Sequence, residues 1–123
     1  MNATMKARRA YSAAAVPTRT PRSLEYEVVA QVTHRIKAAA QRGTAGFSDL
    51  AQALHDNKRL WTLFARDLSD PENGLPAELK ARLFYLAEFT FQHTSKVLAR
   101  EDNVVPLLEV NAAILRGLKA RKH

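Results

Sequence analysis

Residues 53–76 read ALHDNKRLWTLFARDLSDPENGLP, and the two halves of this stretch obey different local rules. In the first half Leu54, Trp61, Phe64 and Leu68 continue a stripe begun at Leu50, one side of a 3.6-residue period, which predicts an amphipathic helix. In the second half Asp70-Pro71-Glu72-Asn73-Gly74-Leu75-Pro76 gathers residues that stop a helix and turn the chain. Proline lacks the N–H a helix needs, and asparagine and aspartate bond nearby backbone groups. Helix, short connection, helix is the repeating unit of an antiparallel bundle, so this stretch decides for an all-α fold. Asn57 interrupts the stripe where an apolar side chain is expected. Buried and unpaired, such an amide would cost about 1–3 kcal/mol, so it is either partly exposed or hydrogen-bonded.

Working outward, Thr20 is placed to cap a helix with Pro21 at its first position, and Leu24, Val28, Val32 and Ile36 recur at helical spacing. Val29 widens that stripe, and the helix is expected over about 22–41, up to the Arg42-Gly43-Thr44-Ala45-Gly46 break. Ser48 is the expected N-cap of the next helix, with Asp49 in its first turn. A third helix starts at Pro76 or Ala77 and carries Leu79, Leu83, Leu86, Thr90, His93 or Thr94, and Val97. Phe84, Phe91 and Leu98 form a second stripe, which predicts a central place for this helix before it stops near Arg100. Asp102 or Asn103 caps a last helix around Pro106, whose stripe of Leu107, Leu108, Ile114, Leu115 and Leu118 is interrupted by Asn111. Gly117 either permits close packing or loosens the end. The expectation is a compact bundle of four main helices, with a fifth, short helix over Met5–Ala15 as an optional addition. Residues 1–20 read as a basic segment, partly ordered at most, 21–119 as the helical domain, and 120–123 as a basic tail.

The formal net charge of +7 is unevenly placed. Of nineteen basic residues, Lys6, Arg8, Arg9, Arg19 and Arg22 precede the first acid and Arg116, Lys119, Arg121 and Lys122 end the chain, leaving ten against twelve acidic residues in between. Charge on the ends suits solubilising termini or weak RNA contact through the tails, rather than a basic groove on the folded elements. No run approaches the roughly 18 apolar residues of a membrane span, and the apolar part of the N-terminus is too short for a signal peptide. The absence of cysteine excludes disulfides and thiolate metal sites and permits a reducing compartment. A cytoplasmic protein with no membrane association is expected.

Catalytic readings fail on spacing. His34, His55, His93 and His123 lie far apart and none forms a helical metal pair with a carboxylate or second histidine. Gly43 and Gly46 are not followed by the Lys-Ser/Thr of a phosphate-binding loop, and Glu25 and Glu27 fall on different helix faces. The sequence therefore argues for a non-enzymatic protein without cofactor or metal.

The order Asn57-Lys58-Arg59-Leu60-Trp61, Asp67, Asn73-Gly74-Leu75-Pro76, Leu79, His93-Thr94, Val97-Leu98, Val105-Pro106-Leu107, Val110-Asn111 and Gly117-Leu118 resembles the FlaF flagellar regulators of alphaproteobacteria. Ala10-Tyr11 and the stretch Arg22–Glu27 suit the same family, so the resemblance spans about residues 10–118. Lys58 stands where arginine or glutamine is as frequent, and the Arg100-Glu101-Asp102 loop lacks the glycine the pattern leads one to expect. The resemblance implies an accessory factor that promotes flagellin synthesis and secretion during flagellum assembly, a chaperone-like role. Its implied partners are flagellin and FlbT, a regulator of flagellin translation. The alternative is a post-transcriptional regulator contacting flagellin mRNA through the basic tails.

Among single residues, Arg59, Asn57 and Trp61 are the candidate partner-binding set. Trp61 serves equally as core packing, because Leu54, Phe64 and Leu68 share its stripe. Arg59 falls on another face, exposed, free for a partner or paired with Asp56 or Asp67. Asn57 is expected alongside it on the exposed surface. Asp67, Asn73, Pro76, Thr94 and Asn111 are the structural motif. Asn73 shapes the turn with Asp70, and Thr94 and Asn111 bond each other or nearby carbonyls.

Overall fold

Helical periodicity and its punctuation translate directly into four α-helices in the computed structural model, which describes residues 21–120, with side chains for 25–118. They are α1 (Pro21–Gln41), α2 (Phe47–Ser69), α3 (Ala77–Leu98) and α4 (Val105–Ala120), with a 3-10 turn, Gly43–Gly46, between α1 and α2. No strand occurs among the described residues. The expected helix at Met5–Ala15, the Thr20 cap, the segment 1–20 and the tail 121–123 lie outside them.

Each connection has its own chemistry. Ser48 does not cap α2: the helix starts at Phe47 with Gly46 in the cap position, two residues earlier than expected, because the 3-10 turn runs straight into it and the Phe47 N–H donates to the Thr44 carbonyl. Asp49 instead accepts from Arg42 at 2.6 Å. Gly43 takes φ +61, the left-handed region where a Cβ is strained. Gly46 is buried for a different reason, since a Cβ there would run into the Ala39 carbonyl oxygen and the Arg42 side chain.

The α2–α3 turn is held by its own side chains. Asp70 Oδ1 accepts the Glu72 N–H at 2.9 Å, and Asn73 Oδ1 accepts the Leu75 N–H at 3.0 Å. The Asn73 amide also donates to the Asp67 carbonyl and carboxylate at 3.2 and 3.3 Å, tying the turn to the last turn of α2. Pro76 then leads into α3, its carbonyl accepting the Lys80 N–H at 3.0 Å.

At the far end of α3 the chain makes the two bonds of a Schellman motif, Glu101 N–H to Lys96 O and Arg100 N–H to Val97 O, both 2.9 Å. Arg100 takes the left-handed conformation usually left to glycine, φ +62. That conformation costs a side-chain-bearing residue about 1–2 kcal/mol. Part is offset because its guanidinium sits over the Phe47 ring, 4.4 Å from the centroid. Of the two candidates for the last cap, Asn103 is the one that reaches the helix, its Oδ1 accepting the Val105 N–H at 2.9 Å. His93 Nε2 donates to the Asn103 carbonyl at 2.8 Å and stacks on Phe89, fastening α3 to this loop.

Short connections make successive helices antiparallel neighbours. α1 packs on α2 and α4, α2 also packs on α3, and the α3–α4 seam is the thinnest. The expected central place of α3 is therefore corrected: among the described helices it touches only α2 and α4, and Phe84 and Leu98 of its second stripe are 39% and 41% exposed. The principal core lies where α1 and α3 end and α2 and α4 begin. There Ile36, Leu54, Val97 and Leu107 meet around Ala39 and Ala53.

The two loop glycines separate conformation from space. Gly46→Ala is expected to lower stability by about 2 kcal/mol through overpacking, and Gly43→Ala by about 1 kcal/mol through backbone strain alone. Urea midpoints at unchanged slope measure both, and equal losses would contradict the close approach at Gly46.

Candidate functional site

Asn111 of α4 sits at the middle of the bundle with no exposed surface. Its Oδ1 accepts the Trp61 indole N–H at 3.0 Å, and its Nδ2 donates to Asn57 Oδ1 at 2.9 Å and to Thr33 Oγ1 at 3.0 Å. The Thr33 hydroxyl in turn donates to the Val29 carbonyl at 2.6 Å. One amide thus joins α1, α2 and α4. Asn57 is itself 0% exposed, which corrects the expectation that it belongs to the outer surface: pairing with Asn111 is what makes its burial tolerable. Asn57 Nδ2 and Thr90 Oγ1 are buried without a partner.

On the far side of this polar layer from the core, the helices part into an apolar groove of about 780 Å³. Trp61 forms its floor, only 1% exposed, with Phe64 edge-on to it at 5.6 Å between ring centres. Leu79 and Leu83 of α3 and Ile114 and Leu118 of α4 form facing walls, all half-buried. Asn73, Gly74 and Leu75 close one edge, so the turn that stops α2 also shapes the groove, and Glu25 of α1 completes the rim with Asp67 and Arg82. A Cβ at Gly117, on the α4 wall, would meet nothing within 4 Å. That glycine marks open space rather than close packing.

The expected site residues therefore separate. Trp61 is core and groove floor at once. Arg59 is exposed and forms no ion pair with either expected carboxylate: Asp56 is buried, bonded to Arg35 at 2.9 Å and Gln52 at 3.2 Å, and Asp67 accepts from Asn73. Being two residues before Trp61, Arg59 lies on the α2 face turned away from the groove. Thr94 and Asn111 do not bond each other; Thr94 Oγ1 donates to the Thr90 carbonyl at 2.6 Å. Asp67 and Asn73 bond at the turn, and Pro76 follows as the lead into α3. Of the described histidines, His34 and His55 are exposed and His93 is buried in its loop contact.

Sequence reasoning missed Thr33 and the residues that line the groove. The signal for Thr33 was present, since it interrupts a buried stripe of Val29, Val32 and Ile36 just as Asn57 and Asn111 interrupt theirs. Three polar interruptions at matching depth are a connected layer. The groove left no such signal, because its leucines read like any other core residues.

Asn111→Ala is expected to cost on the order of 3 kcal/mol, since it strands the Trp61 N–H and the Asn57 and Thr33 side chains. A double-mutant cycle with Trp61→Phe should give a coupling of at least about 1 kcal/mol. Additive losses would show that the indole bond contributes nothing.

Among the described residues no helix is long and apolar enough to cross a membrane, and no three histidine or acidic side chains gather as a metal site requires. No curated protein and no solved structure matches the chain. The family model described as flagellar protein FlaF matches residues 7–118. That span contains the polar layer, the walls of the groove and all but the last two residues of the helices, and a match over most of the chain shows membership: this protein belongs to the FlaF family and has a role in flagellar biosynthesis.

Proposed function

We propose that the protein acts without catalysis, by binding unassembled flagellin, and so promotes flagellin synthesis and secretion during flagellum assembly. The observation that carries this reading is the open, leucine-walled groove in a chain of the FlaF family. An amphipathic helix laid along such a groove would bury its apolar face against Leu79, Leu83, Ile114 and Leu118, the helix-in-groove mode of recognition. A cytoplasmic protein that shields the adhesive helical part of an unassembled subunit keeps it from aggregating before export. FlbT is the second expected partner, and coupling to it would carry the signal to flagellin translation.

A second surface is favoured by one observation. Lys58, Arg59 and Arg66 are exposed on α2, and none has an ion-pair partner among the described residues. Acidic side chains of FlbT would complement that face without competing for the groove.

Substitutions at the two surfaces distinguish them. Gly117→Phe fills the groove where space is open, so it should leave the circular dichroism melt intact and weaken flagellin capture by tenfold or more. Arg59→Glu should also leave the melt unchanged, retain flagellin and lose FlbT. Flagellin capture that survives Gly117→Phe and fails with Arg59→Glu would move the flagellin contact to the basic face; wild-type capture by both variants would remove both assignments.

A further inference from the structure

We infer that Asn57 and Thr90 together bind a single buried water molecule, and that through it α3, which makes no direct bond to Asn111 or its partners, joins the polar layer. The direction of every bond in that layer follows from Trp61. An indole N–H can only donate, so Asn111 turns its oxygen to Trp61 and its nitrogen to Asn57, and Asn57 answers with its own oxygen. The Asn57 nitrogen is thereby forced to point onward, its hydrogens still to be placed, on a residue with no exposed surface.

What lies opposite is fixed by the register of α2 against α3. At one end Arg100 stacks on Phe47. Ten residues onward in α2 and ten back in α3 stand Asn57 and Thr90, and eleven further in each direction stand Leu68 and Leu79, which line the groove together. Antiparallel helices that hold one register from end to end bring Asn57 and Thr90 face to face. Thr90 is 1% exposed, and its hydroxyl, like the Asn57 nitrogen, has no partner. Among the described residues Thr33, Thr62, Ser69, Thr94 and Ser95 each donate to the carbonyl four residues earlier in their helix, at 2.6 to 3.4 Å. The Thr90 hydroxyl forgoes the corresponding carbonyl, that of Leu86.

Two buried polar groups that face one another without bonding are too far apart for a direct hydrogen bond, and one water suits such a gap. It accepts the Asn57 proton and shares a second bond with the Thr90 hydroxyl, within the about two to four polar partners that a buried water takes. An apolar filling would leave both groups stranded. The site adjoins the groove, because Trp61 follows Asn57 by one helical turn, Leu86 precedes Thr90 by one turn, and both line the cavity. The α3 wall is therefore tied to the layer beneath the groove floor by an exchangeable molecule and not by a side-chain pair.

Thr90→Val keeps the shape of the side chain and removes its hydroxyl. With the bridge in place, the folded-to-unfolded ratio should fall at least about fivefold, read from urea midpoints at unchanged slope, because the Asn57 nitrogen loses its outlet. A midpoint that stays or rises would mean that an idle hydroxyl was removed, and would overturn the bridge. The water itself is read by NMR on the full-length protein. The side-chain amide protons of Asn57 should show cross-relaxation with a long-lived water in the wild type and in Thr90→Ser, and lose it in Thr90→Val. Absence of that signal in the wild type overturns the water even where Thr90→Val is destabilised, since Asn57 and Thr90 then bond directly, and this readout decides if Thr90→Val does not fold. No partner protein enters either measurement, so the outcome is separate from the flagellin reading.

Discussion

The bundle depends on a single buried amide. Asn111 cannot enter an apolar interior unless its oxygen and nitrogen are both satisfied, and satisfying them demands that Trp61, Asn57 and Thr33 arrive from two other helices at hydrogen-bond distance. That requirement sets the rotation and axial register of α4 against α1 and α2. A leucine at the same place would bury as much apolar surface, yet it would tolerate a shifted register, because hydrophobic contact is not directional. The same bonds orient the indole, so the geometry of the layer is transmitted to the floor of the groove.

The helix left out of this layer is α3. It is fastened at one end by the core around Val97 and by the His93 bond to Asn103, and at the other by the turn of Asp67, Asp70 and Asn73. Between them its contact with α4 is thin. The asymmetry has a physical origin: below the polar layer small residues, Ala39 and Ala53, let the helices close, whereas above it Phe64 and the leucines hold them apart. A stable closed end supports an open one. This division suits a binding module, since the wall residues Leu79, Leu83, Ile114 and Leu118 lie outside the core on which folding depends, and Trp61 serves both.

The number and limits of the helices in the described residues were legible in the sequence to within a few residues, and so was the work of Asp70 and Asn73 in the turn. Errors came where local chemistry was overridden. Ser48 is a good cap by type, but the 3-10 turn runs directly into the helix and puts Gly46 at the cap position, which leaves Ser48 inside the first turn. The loop after α3 lacks its expected glycine, yet the Schellman bonds form with Arg100, helped by the Phe47 ring from a distant part of the chain. Phe84 and Leu98 look like core by periodicity and stand half in solvent, because a stripe states which residues are alike and not which neighbour is present to cover them.

What the sequence determined by itself is therefore the set of helices, their connections and the family, all of which rest on interactions between residues a few positions apart or on their order along the chain. The tertiary structure alone decided that Asn57 is buried, that Thr33 belongs with it, and that Trp61 is the floor of a groove. Those facts depend on partners 54, 78 and 50 residues away in the chain. Hydrogen bonding satisfies a polar group only at a particular distance and direction, and a one-dimensional pattern can signal the need for a partner without naming the helix that brings it.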